Sequence, residues 1–221
     1  MQTLKSRIAY AHILAVLSFP AAAQDVSQGP YVGFGAGMSF LSDSDFSSDA
    51  ASALGVDAEV DFDTGYALSG ALGYRFANGF RVEGEVGYRH HDVDGETVTG
   101  PGGSITGNID DDVTSLSFMA NAYRDFQTES GVIPYLGIGL GFSRVELGGG
   151  NETINGATAH IPSDSDTVFA YAAMAGVSVP VAESTSLSVE YKYLGADEPH
   201  LNGGDYEYDS HTFGAKLSYS F

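Results

Sequence analysis

An all-β fold, an eight-stranded antiparallel up-and-down transmembrane β-barrel, is predicted by three observations on this 221-residue sequence. Apolar and aromatic residues recur at every second position in eight separate stretches, with Gly, Ser, Ala or charge between them. The connections alternate strictly between short turns and long polar loops. Each stretch is about as long as the roughly 9–11 residues that a tilted strand needs to cross a bilayer. A period of two sends successive side chains to opposite faces of a strand, so every stretch carries one greasy and one small or charged face.

The elements follow in order. PYVGFGAGMSF (30–40) places Val32, Phe34, Ala36, Met38 and Phe40 on one face. TGYALSGALGYRF (64–76) does the same with Leu68, Leu72, Tyr74 and Phe76, and Asn78-Gly79 then supplies a tight hairpin turn. FRVEGEVGYRHH (80–91) sets Phe80, Val82, Val86 and Tyr88 against Arg81, Glu83, Glu85 and Arg89. After a polar stretch, VTSLSFMANAYRDF (113–126) carries Leu116, Phe118, Ala120 and Ala122 on its apolar face. VIPYLGIGLGFSRV (132–145) sets Leu136, Ile138, Leu140 and Phe142 against Tyr135, Gly137, Gly139 and Gly141. TVFAYAAMAGVSV (167–179), TSLSVEYKYLG (185–195) and HTFGAKLSYSF (211–221) complete the set. Short turns are expected at 77–79, 127–131 and 180–184, and long loops at 41–63, 92–112, 146–166 and 196–208. A propeller blade needs four strands per period, whereas one period here holds two.

The pattern can be read with either face outward, and the small face decides. A water-soluble barrel with Gly33, Gly35 and Gly37, and again Gly137, Gly139 and Gly141, on its exterior would lack a solubilising surface. Its narrow interior would also have to hold the many Phe and Tyr rings. Turned into lipid, those rings meet a matching solvent, and closure with an even strand number leaves no open edge in hydrocarbon. Short turns on one side and long loops on the other are the outer-membrane arrangement. No stretch is long and apolar enough for a membrane helix, a test to which barrels are invisible.

Residues 1–23 read as a secretory signal peptide: Lys5 and Arg7, an apolar run from Ile8 to Phe19, then Ala21-Ala22-Ala23 before Gln24. The barrel domain is then 24–221. There is no cysteine, so stability must come from pairing and packing. The net charge is -20, from 9 basic and 29 acidic residues, two of the basic ones lying in the leader. Nucleic acid is excluded as a partner on that balance.

Parity places Arg75, Arg81, Arg89, Lys192 and Lys216 on the inward face, with Glu83, Glu85 and Glu190 on the same strands. Charges withdrawn from water must be paired, so these eight residues are expected to form an ion-pair network that fills the lumen. An unpaired, wet pore is the alternative. The long loops carry acid, including Asp43, Asp45, Asp49, Asp57, Glu59 and Asp61 in the first, and Asp110-Asp111-Asp112 in the second. Clustered carboxylates suit divalent cations, which would bridge to lipopolysaccharide phosphates. A solvated, repulsive surface is the plainer expectation, and no loop has the ligand spacing of an EF-hand.

No catalytic, cofactor or metal residue is expected. His90-His91-Asp92 sits at the outer end of the third strand, with His160, His200 and His211 in loops or near strand tops. Ser210 and His211 are neighbours, but adjacent strand residues face opposite ways, which does not suit a nucleophile and its base. GFGAG and LGIGLG repeat glycine at period two with no helix after them, unlike a dinucleotide loop.

PYLGIGLGFS (134–143), NAYRDF (121–126) and the terminal LSYSF carry a family resemblance. The chain resembles the OmpA-like eight-stranded outer-membrane barrels of Gram-negative bacteria, in particular the small single-domain surface-antigen type called the porin family. The resemblance covers about residues 29–221 and implies a non-enzymatic structural or surface-interaction role carried by the loops. It implies outer-membrane lipid and lipopolysaccharide as surroundings. It also implies that Phe213, Ala215, Leu217, Tyr219 and Phe221 form the recognition signal for the barrel-assembly machinery. The peptidoglycan-tethering domain of larger members is not expected. A narrow channel for small solutes, a lipid- or peptide-modifying enzyme at the rim, and a soluble secreted barrel are the competing readings.

Overall fold

The computed structural model describes residues 28–41, 44–46, 57–62, 64–100, 103–107, 111–149, 151–154, 157–160, 163–201, 204–205 and 208–221. The expected signal peptide at 1–23 lies outside them, as do loop acids Asp43, Asp49, Asp110 and Glu207.

Eight long strands make the wall: β1 (Gly29–Leu41), β2 (Gly65–Arg75), β3 (Phe80–Gly100), β4 (Asp111–Asp125), β5 (Ile133–Leu147), β6 (Asp164–Ala182), β7 (Thr185–Ala196) and β8 (Tyr208–Ser220). Their order is β3-β2-β1-β8-β7-β6-β5-β4, every neighbour is antiparallel, and β3 pairs with β4 to close the ring. The closing pair of first and last strands runs from Tyr31 opposite Ser220 to Leu41 opposite Ser210.

Turn chemistry sets the register at the short-turn end. Gly79 has φ +80, a conformation open to glycine at little cost, and the Asn78 carboxamide oxygen accepts the Phe80 amide at 3.2 Å. Gly131 plays the same part between β4 and β5 with φ +74. The turn expected at 180–184 is shorter than its pattern suggests. β6 runs on to Ala182, with a register shift between Pro180 and Ala182 that accommodates the proline, leaving Glu183 and Ser184 at the tip.

At the opposite end the wall continues into the expected loops. β3 extends to Gly100, where Asp57–Phe62 and Gly103–Gly107 pair with it. The reason lies in composition: Val93, Thr97, Val98, Thr99, Ile105 and Thr106 are β-branched, which favours extended pairing even in a polar segment. A second small hairpin pairs Asn151–Ile154 with Ala157–His160.

The wall is inside-out relative to a water-soluble barrel. Phe34, Leu72 and Ile138 are among the most exposed apolar residues, at 69%, 70% and 70%. Arg81, Glu83, Glu85, Arg89, Lys192 and Lys216 are buried. A continuous apolar belt of this size is untenable in water and is what a lipid-facing surface requires. Aromatic pairs cluster near strand ends, such as Phe142 with Phe169 and Tyr74 with Phe76. Inside, Met119, Tyr123, Tyr135, Ala172 and Met174 from β4, β5 and β6 pack as an apolar half facing the charged strands.

Candidate functional site

The charged side of the lumen is built chiefly on β3, whose inward positions are Arg81, Glu83, Glu85, Gly87, Arg89 and His91 in rising order from the short-turn end. Glu83 is 3% exposed. Its carboxylate accepts the Lys216 ammonium from β8, the Tyr31 hydroxyl from β1, and Arg81 Nη1 at 3.1 Å. Lower down, Arg81 Nε donates to Asp125 Oδ1 at 2.9 Å, and its guanidinium lies 4.3 Å from the Tyr123 ring centroid and 4.7 Å from that of Tyr135. Arg75 Nε is 3.6 Å from Asp125 Oδ2. One level above Glu83, Lys192 Nζ donates to both oxygens of Glu85, at 2.6 and 2.7 Å. Glu190 sits 3.8 Å from Lys192 Nζ and accepts the Tyr135 hydroxyl at 3.0 Å.

Glycines make the space for these long side chains. A Cβ on Gly33 would lie 2.7 Å from Lys216 Cε, and one on Gly137 would lie 2.4 Å from the Tyr123 ring. The glycine-rich inner faces of β1 and β5 therefore hold the stems and rings that cross the lumen from β8 and β4.

Of the residues that parity places inward, Arg75, Arg81, Glu83, Glu85, Glu190, Lys192 and Lys216 lie in ion pairs. Arg89 does not: its Nη1 donates to Ser117 Oγ at 3.2 Å, and it makes no ion pair among the described residues. Four further participants lie outside the expected set: Tyr31, Asp125, Tyr123 and Tyr135. Their positions share the inward parity, so the alternation alone was a signal for them. The expectation covers only charged residues on four strands, so Tyr135, though set on the glycine face by its parity, is given no partner there.

The histidines are not brought together. His90 points outward, with Nε2 3.4 Å from Asp92 and Nδ1 3.7 Å from Asp112. His91 is fully buried inside. His211 contacts the Tyr191 hydroxyl at 2.7 Å on the outer wall. Ser210 is buried on the inner face while His211 beside it is turned away. Phe213, Ala215, Leu217, Tyr219 and Phe221 line the outer face of β8, with Phe221 73% exposed.

Comparison with known proteins agrees with this geometry. The model of the outer membrane protein beta-barrel domain matches residues 11–221. Outer membrane protein PagN of Salmonella typhimurium is 25% identical over 118 residues, 53% of this chain and 49% of PagN. A protein of Brucella abortus is 36% identical over 96 residues, 41% of this chain and 32% of its own. The chain thus spans about half or less of these relatives. Among solved structures, neisserial surface protein A superposes with a TM-score of 0.51 at 22% identity, covering 87% of this chain and 97% of that one. OprG of Pseudomonas aeruginosa gives 0.52 at 17%, covering 88% and 97%. The Escherichia coli outer membrane protease OmpT gives 0.56 at 11%, covering 90% and 100%. At these identities the structures share the fold.

Proposed function

The chain belongs to the outer membrane protein β-barrel family, and from that premise we propose that it is a sealed, non-enzymatic barrel whose role is carried by its four acidic loops. It resides in the outer membrane with its apolar face in lipid. The observation that carries the reading is the convergence on Glu83. Lys216, Tyr31 and Arg81 reach one carboxylate from three strands, and just below it Arg81 is flanked by Tyr123 and Tyr135 from two more. Side chains from β1, β3, β4, β5 and β8 thus cross the lumen within two inward positions of each other on β3. Such a layer blocks solutes unless several buried, mutually paired charges are separated at once, which is costly in a low-dielectric interior.

The placement of the histidines is in keeping with the non-enzymatic reading, since His90, His91 and His211 occupy different faces or strands. The name of neisserial surface protein A is in keeping with a surface role for this fold. The acidic loops present a solvated, repulsive surface, with divalent cations and lipopolysaccharide phosphates as the chemistry they would meet.

Single-channel recording on the refolded protein in planar bilayers tests this reading. Little or no current is expected from the natural sequence. A steady ohmic conductance of the size of a water-filled pore would overturn the sealed lumen and favour a channel for small solutes.

A further inference from the structure

Of the nine basic residues, Lys5 and Arg7 lie in the expected leader and five point into the lumen, which leaves Arg124 and Arg144 on the lipid-facing parity. The two stand at opposite ends of the β4–β5 seam, Arg124 opposite Leu136 and Arg144 opposite Leu116. On β5 the apolar positions Ile138, Leu140 and Phe142 separate their levels. The pair thus brackets the apolar belt, one guanidinium at each rim.

The two rims differ in charge. Arg144 shares the long-loop end with the outward carboxylates Asp92, Asp112 and Glu146, and its Nη2 donates to Ser165 Oγ at 3.1 Å. At the short-turn end, Asp125 faces inward and is held by Arg81 and Arg75, and Glu129 and Glu183 stand on the turns. Arg124 makes no ion pair among the described residues, and its outward neighbours across the strands are Phe80 and Leu136. Its guanidinium lies 4.8 Å from the Phe80 ring centroid, and Nη1 donates to the Asn78 carbonyl. A Cβ on Gly79 would lie 3.2 Å from Nη1, so the glycine that gives the turn its φ of +80 also leaves room for the guanidinium. These contacts turn the charged end down to the turn and away from hydrocarbon, as an arginine at a lipid boundary requires. They occupy Nη1 and one face of the plane, and the remaining donors of the fork point to no protein acceptor among the described residues.

We propose that Arg124, Phe80 and the Asn78-Gly79 turn form a headgroup site for one anionic phospholipid of the periplasmic leaflet, of the phosphatidylglycerol type. Short turns face the periplasm in this arrangement, so the leaflet at this rim is the inner one. A guanidinium fork matches two phosphate oxygens, and charge-assisted bonds of this kind are the strong ones. Phe80 offers its ring to the glycerol and the first acyl carbons. A chain of net charge -20 repels anionic lipid at long range, which confines such binding to the place where an unpaired cation meets the boundary. Around Arg144 the carboxylates repel the same headgroup. The site lies on the outer wall, so it does not depend on whether the lumen conducts.

The test uses the full-length refolded barrel in detergent, titrated with phosphatidylglycerol or phosphatidylcholine of the same acyl chains and read by native mass spectrometry. The natural sequence should hold its first phosphatidylglycerol about fivefold more tightly than phosphatidylcholine, the size expected of one arginine beside anionic lipid. Arg124→Gln should bring that ratio close to one, whereas Arg144→Gln should leave it unchanged. A ratio that survives Arg124→Gln, or that falls equally in both variants, would overturn the proposal. So would a natural sequence that shows no preference. Folding of each variant is checked by the heat-dependent shift of its gel band. Should Arg124→Gln fail to fold, photoreactive phosphatidylglycerol on the natural sequence decides the matter. Crosslinks are expected within 76–80 or 124–126, and crosslinks confined to the long-loop end would remove the site.

Discussion

The lower and upper halves of the lumen are made by the same strands and obey different chemistry. In the lower half, carboxylates, cations and tyrosines converge on shared partners, and Glu83 alone accepts three donors, while the Tyr123 hydroxyl and Arg75 Nε and Nη1 find no hydrogen-bond partner among the described residues. In the upper half, Ser115, Ser143 and Ser210 replace the long side chains, and among the described residues Arg89 donates to Ser117 Oγ and lies in no ion pair. The lower half is a plug made from protein; the upper half is a polar chamber with room left in it. Strand pairing fixes the wall in both, so the difference lies in which inward residues are long enough to meet across the barrel.

The sharpest way to break the comparison is Glu83→Ala. It strips Lys216, Arg81 and Tyr31 of their shared acceptor and leaves two cations buried at one level. Loss of one partner from a buried ion pair typically costs about 3–5 kcal/mol. Urea unfolding in lipid vesicles should show a loss of that order, and planar-bilayer recordings should show openings absent from the natural sequence. A loss below about 1 kcal/mol, the range of exposed ion pairs, would mean that the lower half is as loosely coupled as the upper.

Space, as distinct from charge, is probed by Gly137→Ala. The added Cβ would stand 2.4 Å from the Tyr123 ring and 3.0 Å from Met174 Cε, on the side of the lumen where Tyr123 covers Arg81. Overpacking of a filled interior costs roughly 1–3 kcal/mol, so a smaller but clear drop in unfolding midpoint is expected. Gly70→Ala is the matched control, because a Cβ there meets nothing within 4 Å and faces lipid. Equal effects at the two glycines would remove the claim that the inner glycines exist to seat the crossing side chains.

Much of this architecture can be read from alternation. Eight period-two runs, Asn78-Gly79 and the outward belt from Phe34 to Ile138 follow from side-chain parity, because a strand has only two faces and lipid selects one of them. Strand ends were less legible: β3 runs to Gly100 because β-branched Val and Thr residues continue pairing beyond the point where polarity suggests a loop. In the lumen, parity says which residues point inward and is silent on which ones meet. Tyr31 and Tyr123 show the limit, since tyrosine suits an interfacial girdle and a buried hydrogen bond equally well. Only the strand register places Tyr31 level with Gly73 of β2 and Glu83 of β3, so that the tyrosine reaches Glu83 across a residue with no side chain. Arg89 shows the converse, a residue with the right parity and charge whose level happens to hold serines.

The smallest effect concerns the chamber hydroxyls. Ser143 Oγ has no hydrogen-bond partner among the described residues, whereas Ser117 Oγ accepts from Arg89 and donates to the Gly87 carbonyl at 3.3 Å. Removing a satisfied buried hydroxyl leaves its partners unpaired and costs about 1 kcal/mol, while removing an orphan is nearly neutral. Ser117→Ala should therefore lower unfolding stability by about 1 kcal/mol, and Ser143→Ala should change it by less than about 0.5 kcal/mol, as read by urea unfolding in lipid vesicles. If Ser143→Ala is as costly as Ser117→Ala, the Ser143 hydroxyl is already satisfied in the folded barrel, and the contrast between the two serines disappears.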